Sequence, residues 1–223
     1  MLSIKSIYKD MLEFGEISST RKFSPAEITN ILRLFIGDSD IKLKTLRDRH
    51  LSNNQVVISG SYDPVEDESN FSSITIYVSY STTQKNIYIR SIDWSQLCID
   101  LIECTGHELI HQNQYRERGY NPSSSFFVGT STDDERRGEQ EYLGCTDEIE
   151  AFGYSIAADV YLNVGPKKLS YKHIAKTAMF KEYSAAFGSN HPIIHQLIEF
   201  ASKYYIQLQG DKNAKEPGRI VLQ

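Results

Sequence analysis

From Ile74 to Tyr80 apolar and polar side chains alternate: Ile74, Ile76, Val78 and Tyr80 against Thr75, Tyr77 and Ser79. A period of two marks a strand with one buried face, so SSITIYVSYS (72–81) is read as a strand. QVVISGSY (55–62) and NIYIRSI (86–92) share its richness in β-branched residues and tyrosine and are read the same way. IKLKTLRDRH (41–50) fits a strand or a helix end, and DPVEDESN (63–70) reads as a loop.

Outside this block the spacing of apolar residues turns helical. Residues 2–14 suit a short amphipathic helix. In SPAEITNILRLFIG, Ser24 is placed to cap, Pro25 to open the first turn and Glu27 to complete a capping box, with Gly37 as the stop. Asp93 and Gln96 open a long helical pattern in which Leu97, Leu101, Ile102, Leu109 and Ile110 supply apolar faces, ending at Gly119. A polar stretch from Gly119 to Thr146 holds one apolar island, Phe126-Phe127-Val128. Helix then returns in DEIEAFGYSIAADVYLNV, stopping at Gly165-Pro166, in SYKHIAKTAMFKEYSAAFG, and in HPIIHQLIEFASKYYIQL with Asn190 as its cap. The expected class is α+β in a single domain, 1–223: helices over 1–37, a sheet over 38–92, one long helix over 93–118, a loop over 119–146, helices over 147–208 and a loose tail over 209–223.

Composition narrows the classes. The chain has 223 residues, 40% hydrophobic and 24% charged, ordinary for a water-soluble globular protein able to bury a sizeable core. Its net charge of −5 argues against bulk binding of nucleic acid. The first residues carry acids and no apolar run, so no secretory signal is expected, and no segment is apolar enough to span a membrane. Cys98, Cys104 and Cys145 are odd in number and lack a disulfide-framework spacing, which points to a reducing, cytoplasmic home.

The chemistry lies in the long helix. His107, Glu108 and His111 spell H-E-x-x-H. Four residues apart on a helix, the imidazoles project from one face and suit a single zinc ion, with Glu108 beside them to act on a water. A catalytic zinc site needs a third protein ligand and an open position. Residues 112–122 contain no further histidine, which removes the short metzincin solution. An acidic residue on a later helix is the other solution, and Glu148 and Glu150 open the next one. They stand about 200° apart around a helix, so only one of them can face the ion. Acids also favour a first helical turn for its dipole alone.

His107-Glu108-x-x-His111 followed by Glu150-Ala151 on a later helix resembles the gluzincin metallopeptidases, especially the small single-domain members found in phage and mobile-element genomes. The resemblance covers two patches within residues 93–164. It implies a zincin-like fold: a small mixed or antiparallel sheet packed on the metal-bearing helix, with a helical C-terminal part. It further implies zinc held by His107, His111 and Glu150, hydrolysis of peptide bonds with Glu108 moving the proton, Tyr142 as a donor to the oxyanion, and a peptide or protein substrate added along the edge of the 72–81 strand. The 119–146 loop would cover the cleft with Phe126 and Phe127, and a phage source would make the compartment host cytoplasm. Tyr154 stands where many relatives carry an acid that supports a ligand histidine, so another group must do that here.

Other readings compete. Tyr142 is one of 14 tyrosines and suits ordinary packing, and Phe126 and Phe127 suit an anchor folded into the core. His191 and His195 are read as a cap and a surface residue, Cys104 as a buried thiol, and Arg136 and Arg137 as a solvated pair. A rival of another class is a structural or binding protein, a virion or regulatory component, that keeps zinc for stability and cuts nothing.

Overall fold

The structure is a computed structural model describing residues 4–37, 40–123, 126–165 and 169–210. The expected loose tail therefore falls, from residue 211 on, outside the described residues, as does Pro166. The chain is mixed α+β, as its patterning predicts. It divides into two compact units, one reaching Gln112 and the other starting at Asn113. The division lies inside the helix Trp94–Glu117, where no shift in composition and no Pro or Gly marks a boundary.

The first unit opens with α1 (Ile4–Ile17), β1 (Lys22–Phe23) and α2 (Pro25–Ile36). The capping box forms: Ser24 N donates to Glu27 Oε2 at 2.7 Å, Glu27 N donates to Ser24 Oγ at 3.3 Å, and Gly37 ends the helix at φ 64°. Then come β2 (Ile41–Asp48), β3 (Val56–Tyr62), a short α3 (Pro64–Glu68), β4 (Ile74–Ser81) and β5 (Ile87–Tyr88). The ambiguous 41–50 segment is thus a strand. The expected loop at 63–70 contains α3 because Asp63 Oδ1 accepts from Val65 N and Glu66 N ahead of Pro64 in the first turn. The 86–92 segment keeps only two strand residues, paired with β1, before a turn of 3₁₀ helix over Ile89–Ser91.

The main sheet has the order β2-β4-β3, with β2 parallel and β3 antiparallel to β4. β4 is therefore the middle strand. Both its edges are paired, so the expectation that residues 72–81 offer a free edge is wrong; β2 and β3 are the outer strands. The predicted apolar face is fully buried at Ile74, Ile76, Val78 and Tyr80; on the other face Thr75 is buried too, while Tyr77 and Ser79 are half-buried. Leu43 and Gly60 flank Ile76 in register and share its face. α2 covers that face through Thr29, whose hydroxyl lies 3.3 Å from Tyr80 Oη and accepts from Thr45 Oγ1 at 2.9 Å.

α4 (Trp94–Glu117) runs from the first unit into the second, which continues with α5 (Asp134–Leu143), α6 (Thr146–Val164), α7 (Tyr171–Ile174), α8 (Ala178–Phe187) and α9 (Pro192–Leu208). Its core joins Leu143, Ile149, Ile156, Phe180, Tyr183 and Leu197. α6 and α9 pack closely at Gly153, where a Cβ would stand 2.4 Å from Phe200 Cβ. The 119–146 segment is not one long loop. Asp133 caps α5 by accepting from Arg136 N, and Gln140 ties the segment down by donating to Ala186 O and accepting from Thr130 N and Ser131 N. Thr177 splits the expected helix over 170–188 by capping α8. His191, not Asn190, caps α9, its Nδ1 accepting from Ile193 N at 3.3 Å. Among the described residues no helix is long and apolar enough to cross a membrane.

Candidate metal centre

α4 begins where Asp93 Oδ1 accepts from Gln96 N at 3.1 Å, as the capping pattern predicts. Its regular turns bring His107 and His111 together, Nε2 to Nε2 at 3.0 Å, with ring centroids 4.7 Å apart and planes at 80°. His107 and Glu108 are buried, at 8% and 7% exposure.

The wall beside Glu108 is a strand. β3 crosses α4 at Gly60, where a Cβ would stand 2.6 Å from Glu108 Oε1 and 2.8 Å from Cys104 Sγ. Only a residue without a side chain lets the strand lie this close, so the backbone of β3 confines the carboxylate. Burial pushes the Cys104 thiol well up, and the neighbouring Glu108 charge pushes it further. The residue is half-buried rather than the fully buried thiol expected.

One residue past His111, Gln112 donates from Nε2 to Asp67 Oδ1 and to Ser73 Oγ, both at 3.0 Å. Asp67 also accepts from Tyr62 Oη at 3.1 Å and from Ser73 Oγ at 3.3 Å. This buried polar knot fixes the rotation of α4 against the sheet. Sequence reading missed it, because residues from α3, β3, the link into β4 and α4 meet only in the fold.

In the second unit the N-terminal end of α6 carries three acids, Asp147 and Glu148 in its first turn and Glu150 just after it. Asp147 takes a two-pronged ion pair from Arg118, at 2.9 and 2.7 Å. Glu150 accepts from Gln114 Nε2 at 3.1 Å, Lys203 Nζ at 3.3 Å and Tyr204 Oη at 2.8 Å. The third acid, Glu148, is the one grouped with the histidines: His107, His111 and Glu148 each present one ligand atom, all within 4.8 Å of one another. The resemblance pointed to Glu150. Glu150 is instead held by Gln114, Lys203 and Tyr204, and it is not in the His107, His111 and Glu148 group.

The other candidates have the following surroundings. Tyr142, on α5, is 53% exposed and meets Phe152 edge-on at 6.2 Å. Tyr154 is buried against Tyr204, with centroids 5.6 Å apart. Phe127 anchors in the core against Phe187 at 5.5 Å and His191 at 6.0 Å, whereas Phe126 is 85% exposed. Arg136 donates to Ala185 O and Arg137 pairs with Asp134. All three cysteines are free.

Compared with family models, curated proteins and solved structures, the chain finds no match.

Proposed function

We propose that His107, His111 and Glu148 hold a zinc ion and that the chain is a zincin-like metallopeptidase. The observation that carries this reading is the convergence of two imidazoles and one carboxylate within 4.8 Å. The donor set fits. Two nitrogens and a carboxylate oxygen, with no cysteine among the grouped residues, make the open type of zinc site rather than the closed structural type. Nitrogens bound tetrahedrally at about 2.0–2.1 Å stand roughly 3.3 Å apart, close to the 3.0 Å between the two Nε2 atoms.

A zinc ion bound there supplies Lewis acidity, polarising a carbonyl and bringing the pKa of water toward neutrality. The protein supplies the proton path. The Glu108 carboxylate takes a proton from the attacking water and returns it to the leaving amine. Its burial and the β3 wall at Gly60 limit the directions it can face. Among the described residues β4 is the only strand paired with β3, and an extended peptide is placed along the other edge of β3. Peptide as the substrate class rests on the resemblance in residues 93–164. Three free thiols fit a cytoplasmic home.

Purified chain should carry about one zinc, cleave a mixed peptide library, stop when zinc is chelated and recover on its return. Cleavage indifferent to chelation would refute the proposal. Gly60→Ala should lower kcat at least about tenfold with zinc content unchanged, because its Cβ must displace Glu108. A wild-type kcat in that variant would show that β3 does not position the carboxylate.

A further inference from the structure

The N-terminal end of α6 holds three carboxylates, Asp147 and Glu148 in its first turn and Glu150 just after it, and acids this close compete for a cation. Two of them pair with cationic side chains of the second unit. Asp147 is matched by the Arg118 guanidinium, and Glu150 by the Lys203 ammonium together with the Tyr204 hydroxyl. Gln114, buried at 7% exposure, ties both sides of Glu148 in sequence: its Nε2 donates at 3.1 Å to the backbone oxygen of Asp147 and at 3.1 Å to Glu150 Oε2. It sits three residues after His111 and seven after His107, one and two turns along the same unbroken helix.

We infer that Gln114 and Glu150 are positioning residues which set the first turn of α6 so that Glu148, and neither of its acidic neighbours, faces the two imidazoles. The inference rests on the zinc reading above. A slip of one residue turns a helix by 100°, enough to swing Glu148 off the ion. A bond to the Asp147 carbonyl fixes the position of the turn, and the bond to Glu150 fixes its rotation. α9, through Lys203 and Tyr204, holds Glu150 from another helix. Without the Gln114 amide, a partly buried carbonyl and carboxylate lose their donor on α4, and the turn loses its reference to the histidine-bearing helix.

The test uses the full chain with Gln114→Met, which keeps the bulk and removes the donor, and Glu150→Gln, which keeps the shape and removes the charge. Zinc affinity is measured by chelator competition, the visible spectrum of cobalt-substituted protein reports the coordination geometry, and circular dichroism with melting of the zinc-free protein controls for folding. Both variants should bind zinc roughly 10–100-fold more weakly, with an altered cobalt spectrum and a zinc-free fold like the wild type's. Wild-type affinity and spectrum in both variants would overturn the inference while leaving the zinc reading intact. Loss of zinc in Glu150→Gln as complete as in Glu148→Gln would overturn it too, by making Glu150 a ligand. A wild-type chain that takes up no zinc would sink both readings together.

Discussion

Glu108→Gln should retain a full zinc complement and lose peptide hydrolysis by about 10²–10⁴-fold. The amide has nearly the shape of the carboxylate, so the packing against Gly60 and Cys104 is kept. What it lacks is the capacity to accept the proton of the attacking water and pass it to the leaving amine. Zinc content and hydrolysis, measured on the same preparation, separate two functions for the centre. A variant that keeps both its zinc and full hydrolysis would show that Glu108 moves no proton, and a wild-type chain holding zinc with no hydrolysis at all would show the centre to be structural.

Glu148→Ala should lose zinc far beyond the roughly 10–100-fold expected of a supporting residue. It removes one of three protein ligands and leaves two imidazoles on a single helix. A consequence for stability follows from linkage. Zinc at a thousand times its Kd stabilises the native chain by about 4 kcal/mol, read as a rise in Tm on adding metal. In Glu148→Ala that rise should vanish, with the zinc-free melting of the same variant as its reference. An undiminished rise in Tm would remove Glu148 from the ligand set.

The chain announces some of this arrangement and hides the rest. Ser24, Glu27 and Gly37 bound α2 as read, and the alternation from Ile74 to Tyr80 gives β4 its buried face, because caps and periodicity are local properties. The H-E-x-x-H spacing likewise needs only one regular helix. What could not be read was set by partners distant in sequence. β4 became the central strand because β2 and β3 pair on both sides of it, and no single strand records its neighbours. The 119–146 stretch looked like a lid, yet Gln140 and Phe127 tie it to α8 and to the core. The choice between Glu148 and Glu150 turned on Gln114, Lys203 and Tyr204, the last two more than fifty residues from the acid they engage. Helical phase alone says that the two glutamates diverge. The partners of Glu150 come from α4 and α9, and the phase of α6 alone does not record them.

The most direct measurement is anomalous diffraction at the zinc edge from crystals of the full chain grown with zinc. The account predicts one peak within bonding distance of His107 Nε2, His111 Nε2 and a Glu148 oxygen, with Glu150 still held by Gln114, Lys203 and Tyr204. A peak coordinated by Glu150 or by a cysteine, or no peak beside the two histidines, would contradict it.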